Sequence, residues 1–134
     1  MKKVELPFVT LEFHENYVLS EITEGADINS EHVRLGIEHV NHHYQSQPIG
    51  FIGRRINESS LNPMNYIEYP PLEAAGVVSF AVVAYRKSTA IIAQVERIFA
   101  TRGGKVAFGV FSDFETAERW TLEHVLKARS ANAV

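Results

Sequence analysis

At 134 residues, with 46% hydrophobic and 22% charged side chains, the chain has the length and balance of one globular domain, enough to bury a single core without covalent staples. The absence of cysteine excludes disulfides, thiolate metal ligands and cysteine nucleophiles. A net charge of −3 gives no general attraction to DNA or RNA, and no apolar run reaches the roughly 20 residues that cross a bilayer. Residues 1–134 therefore read as one domain, with an ordered core at about 8–127.

At the amino end, Glu5, Pro7, Thr10 and Glu12 interrupt the stretch that a signal peptide would need to keep apolar, so the expected location is the cytoplasm. Phe8 to Phe13 alternates, with Val9, Leu11 and Phe13 on one face and Phe8, Thr10 and Glu12 on the other. Tyr17 to Thr23 alternates as well, and His14-Glu15-Asn16 suits a three-residue hairpin link. Asp27, Asn29 and Ser30 are candidate caps for a helix from Ser30 to about Gln45, whose buried stripe is Val33, Ile37, Val40 and Tyr44. A third strand follows over Ile49 to Ile56. Residues 57–76 are irregular, with a short helix expected from Pro63 to about Glu68.

Val77 to Tyr85 is apolar at almost every position, which marks a central strand covered on both faces. A helix from Ser88 to Ala100 is expected to bury Ile91, Val95, Ile98 and Phe99. After Gly103-Gly104 come a strand from Val106 to Phe111 and a helix opened by a capping box of Ser112 and Glu115. Its inner stripe is Ala117, Trp120, Thr121, His124 and Val125, and its tail from Ala128 is expected to fray.

The elements predict an α/β fold with a five-stranded mixed sheet, a β-hairpin start and parallel βα units, in the order β-β-α-β-(short α)-β-α-β-α. With Ala26-Asp-Ile-Asn-Ser-Glu-His entering the first helix and Gly104-Lys-Val-Ala-Phe-Gly-Val-Phe before the last, this order resembles the SpoIIAA-like fold of the STAS (sulphate transporter and anti-sigma factor antagonist) domains. The resemblance implies a non-enzymatic regulatory domain that binds another protein or itself. Regulatory members of that family carry an aspartate and a phosphorylatable serine just after the third strand. Here the sequence is Asn57-Glu58-Ser59-Ser60, which keeps Ser59 and Ser60 as candidate phosphoacceptors but lacks the aspartate.

Four groups of residues are candidates for chemistry, each with a plainer alternative. Arg86, Lys87, Ser88 and Thr89 close the central strand and open a helix, where free amides and two cations favour an anion; the alternative is a solvated turn. Met64, Tyr66, Ile67 and Tyr69 form a candidate lid over an amphipathic ligand, or simply pack in the core. His39 and His43 stand one turn apart, as metal-ligating pairs do, yet no third ligand is evident and histidines at a helix edge commonly just border solvent. The polar side of the opening hairpin, Thr10, Glu12, Glu21 and Thr23, is wet or covered by a second copy in a homodimer. No carboxylate pair, nucleotide loop or nucleophile elbow marks an enzyme. The expectation is a binding domain without cofactor, for a protein partner or, as the alternative, for a small anionic or amphipathic ligand, with an unrecognised enzyme as a third reading.

Overall fold

A computed structural model of the chain describes residues 2–55, 60–61, 75–100 and 106–132. In order, the elements are β1 (Lys2–Glu5), β2 (Val9–Phe13), β3 (Tyr17–Ile22), β4 (Asp27–Ile28), α1 (Ser30–Tyr44), β5 (Ile49–Arg55), β6 (Ser60–Leu61), β7 (Val77–Ala84), α2 (Lys87–Ala100), β8 (Ala107–Phe111) and α3 (Phe114–Asn132). Six strands form one sheet in the order β1–β2–β3–β5–β7–β8. Within it β2 runs against both of its neighbours, and the other pairs are parallel. The apolar strand β7 thus lies inside the sheet, as its composition predicts. The sixth strand, β1, escapes a search for buried periodicity because Lys2, Lys3 and Glu5 are exposed, and backbone pairing with the packing of Val4 holds it at the edge. β4 and β6 form a separate two-residue parallel pair. No helix among the described residues is long and apolar enough to cross a membrane.

The two faces of the sheet are packed differently. On one face Phe51, Phe80 and Phe108 stand in register on β5, β7 and β8, their rings stacked at 4.9 and 5.2 Å. α1 and α2 cover this face through Val40, Tyr44, Ala90 and Ala93. On the other face Gly50 meets Thr121 and Val125 of α3 beside Ser79, and Ile52, Ala81 and Val83 pack with Ala117. A Cβ on Gly50 would come within 2.2 Å of Thr121 Cγ2. α3 therefore lies close along β5, β7 and β8, whereas the aromatic ladder keeps α1 further off.

This asymmetry corrects several side-chain assignments. Only Val40 and Tyr44 of the predicted α1 stripe are buried; Val33 and Ile37 stay half-buried because α1 does not close down on the sheet over them. In α2, Ile91 is 59% exposed and Ile92 52% exposed, while Ala93 is buried. Alanine is the side chain that fits between the helix and the ladder, so room decides the phase of the helix ahead of hydrophobicity. The side chains of Val95, Ile98 and Phe99 lie outside the described residues, as do Gly103-Gly104 and the expected short helix from Pro63 to Glu68. Phe8, ahead of β2, turns to the same side as Val9 and stacks on His32 at 4.1 Å.

Of the candidate caps for α1, Asn29 takes the role. Its side chain accepts from His32 N–H at 2.9 Å, and its own N–H donates to His32 Nδ1 at 3.3 Å. α3 is capped by Asp113 instead of Ser112, because the helix begins at Phe114; the Asp113 carboxylate accepts from the Thr116 amide and hydroxyl, both at 2.9 Å, which lowers its pKa. The end of α3 does not fray at Ala128. Arg129 Nε donates to the Pro48 carbonyl at 3.0 Å, the guanidinium also reaches Asn16 and the Glu15 carbonyl, and helix continues to Asn132.

Candidate functional site

The gap under α1 is an open-mouthed cavity of about 80 Å³, small beside the ~300–1,000 Å³ of drug-sized ligand sites. Phe8, Val9 and Leu11 come from β2 and its approach, Ser20 and Ile22 from β3, and Phe51 and Arg55 from β5. Phe80 of β7 forms part of its floor, and Ile28, His32, Val33, Gly36 and Ile37 close it from the helix side. It therefore opens where β3 and β5 end, the edge at which open α/β sheets hold ligands. A smaller void adjoins it past Ile37 and Phe51, beside Val40, Ala75 and Val77.

Gly36 is central to this space. It sits in the middle of α1, where glycine costs about 0.5–1 kcal/mol relative to alanine. A Cβ built there would meet nothing within 4 Å, so the missing side chain is missing volume in the cavity wall.

Three of the lining residues are polar: Ser20, His32 and Arg55. His32 uses Nδ1 to accept from the cap, so its ring proton sits on Nε2, which is a donor. Arg54 and Arg55 part to opposite sides of the sheet. Arg54 goes to the α3 face, where it meets Glu21 at 2.9 Å and lies 5.7 Å from the Phe114 ring centroid. Arg55 goes to the face of Phe51 and into the cavity wall. No carboxylate lines the cavity among the described residues.

The anion candidate read from the sequence lies one strand away from this cavity. Arg86, Lys87, Ser88 and Thr89 form the turn that opens α2, with the Arg86 carbonyl accepting from Ala90 N–H at 3.0 Å; the first three are exposed, Thr89 is half-buried, and none lines the cavity. They share its sheet edge, since Arg55 stands opposite Ala84 in register. His43 stacks on Phe13 at 4.3 Å and meets Tyr44 edge-on at 4.7 Å; its pKa is lowered, first by burial and then by Lys2 and His42. His39 is half-buried one turn earlier, and no group of three His, Asp or Glu gathers for a metal among the described residues. Ser60 stands opposite Asp27 in the β4–β6 pair, whereas Ser59 and the lid candidates Met64, Tyr66, Ile67 and Tyr69 lie outside the described residues. On the hairpin, Glu21 pairs with Arg54 at 2.9 Å, and Glu12 lies 3.4 Å from His14 Nε2.

At the opposite end of the sheet the polar groups hold structure. The Tyr44 hydroxyl lies 2.7 Å from the His14 carbonyl and 2.8 Å from the Tyr17 carbonyl and shares its proton between them. The Tyr17 hydroxyl donates to Glu118 Oε2 at 2.6 Å. Burial raises both phenols above their ordinary pKa, and the Glu118 carboxylate adds to the rise at Tyr17.

No protein-family model matches the sequence, and no curated protein matches it. Among solved structures, an uncharacterised DUF3478-family protein from Shewanella loihica PV-4 with a SpoIIAA-like fold is similar at a TM-score of 0.58 and 11% identity, over 84% of this chain and 91% of that one. A likeness at such low identity speaks for architecture alone, and the architecture it establishes for this chain is the SpoIIAA-like fold.

Proposed function

We propose that the chain is a non-catalytic binding domain that holds a small, largely apolar molecule between α1 and the carboxyl ends of β3 and β5. The cavity under α1 carries this reading: it has an apolar wall, a few polar groups, and a helix glycine with open space where its side chain would stand. Native mass spectrometry of freshly purified protein, with uptake of the neutral fluorophore N-phenyl-1-naphthylamine, tests it. A bound mass or fluorophore uptake is expected, and Gly36→Leu, which pushes a side chain into the space, should abolish uptake while circular dichroism stays unchanged. A parent protein with neither signal, or a Gly36→Leu variant that binds like the parent, overturns the reading.

The role implied by the family resemblance, docking of another protein, is favoured by a different observation. Tyr85, Ile91 and Ile92 are 48%, 59% and 52% exposed around the start of α2, and exposed large apolar side chains are what contact sites present. On this reading Ile91→Lys with Ile92→Lys lowers the sedimentation coefficient of any self-associated form, and unchanged sedimentation of an associated parent refutes it.

A further inference from the structure

Resting on the cavity as a binding site, we propose that its occupant is an amphipathic anion, an apolar body with one acidic head, and that Arg55 is the residue that selects it. The polar groups in the wall have one character. Arg55 is a permanent cation with five N–H donors in a planar fork, so it can take a carboxylate or phosphate while keeping the interaction it already makes. His32 presents a donor because its accepting nitrogen is spent on the helix cap, and Ser20 adds a hydroxyl. No carboxylate stands among the described lining residues to repel an anion.

The partition of the two arginines strengthens the case. Arg54, on the far face, pairs with Glu21 at 2.9 Å, and Arg55 is the cation that stands in the cavity wall. The rest of the wall is hydrocarbon or aromatic, with the ring of Phe51 on the same face of the same strand. Such a site rewards a molecule with an acidic end and an apolar remainder, and discriminates against a neutral molecule of the same length because charge-assisted hydrogen bonds are about twice as strong as neutral ones.

Displacement of N-phenyl-1-naphthylamine by decanoate, decyl phosphate and decanol at neutral pH tests the proposal. One or both anions should displace the fluorophore at concentrations about tenfold or more below that of decanol, and the stronger of the two identifies the head as carboxylate or phosphate monoester. Arg55→Gln should bring the ratio of anion to alcohol close to one, and Arg55→Lys, which keeps the charge, should retain much of it. The ratio is taken within each protein, so a general loosening of the cavity, which weakens anion and alcohol alike, leaves it unmoved. A parent protein that takes the fluorophore but treats decanol and both anions alike overturns this proposal and leaves the binding reading standing, as does an Arg55→Gln variant with the full preference. A parent that takes neither fluorophore nor acid overturns both.

Discussion

Gly36 has opposite effects on stability and on the cavity. In a helix interior its backbone freedom is lost on folding without the return that a side chain gives, and the space beside it is open. Gly36→Ala should therefore stabilise the domain by about 0.5–1 kcal/mol, visible in thermal unfolding as a midpoint roughly 3 °C higher. The added methyl enters the cavity, so the same variant should take up less N-phenyl-1-naphthylamine than the parent. A midpoint that falls would mean that the site has no room for a Cβ. The signal for this residue was present in the chain as a glycine inside an otherwise regular helical stripe, but periodicity weighs the side chains that are there. Arg55 was legible in the same indirect way: in a strand it shares a face with Phe51, and that face becomes meaningful once α1 is known to stand off from it.

Between elements, the tight partner of the sheet is α3, and Gly50 is the reason. Its position admits no Cβ unless Thr121 moves, so Gly50→Ala should cost about 1–3 kcal/mol of overpacking in urea unfolding. Thr121→Ser removes the clashing methyl, and the double variant should recover much of the loss; additive single effects would show that the contact is not the cause. The Thr121 and Ser79 hydroxyls are buried at this same junction without a hydrogen-bond partner among the described residues, which leaves the junction little tolerance for further disturbance. The strands β2 and β7 were readable from composition, because burial on both sides of β7 and alternation in β2 leave direct marks. The phase of α2 was not, since isoleucine and alanine are both apolar and the choice between Ile91 and Ala93 depends on the ladder of phenylalanines that the fold assembles from three separate strands. The cap of α3 illustrates a shift of one residue: Ser112 and Asp113 are equally good acceptors on paper, and where the helix starts decides between them.

For the molecule as a whole, the end opposite the cavity is fastened by phenols, and this sets an alkaline limit. Tyr17 and Tyr44 have folded pKa values raised above the 10.0 of an unperturbed phenol, so above about pH 10 the unfolded chain gives up protons that the folded one keeps. Their contribution is complete below that pH and is lost as pH rises through the folded values. Unfolding midpoints should fall steeply in this alkaline range, and Tyr17→Phe with Tyr44→Phe should flatten the decline while lowering stability at neutral pH through the lost hydrogen bonds. A decline of the same slope in both proteins would assign the limit to other groups.

His32 both lines the cavity and closes the first turn of α1 through its reciprocal bonds with Asn29. What happens in the cavity is thereby written into the fraying of a helix end. A molecule that packs against the imidazole holds the ring where it caps, and the His32 amide, which donates to Asn29, should then exchange its proton with solvent more slowly, whereas amides along α3 should keep their rates. The domain would so carry its own gauge of occupancy, readable by hydrogen exchange without a label on the occupant.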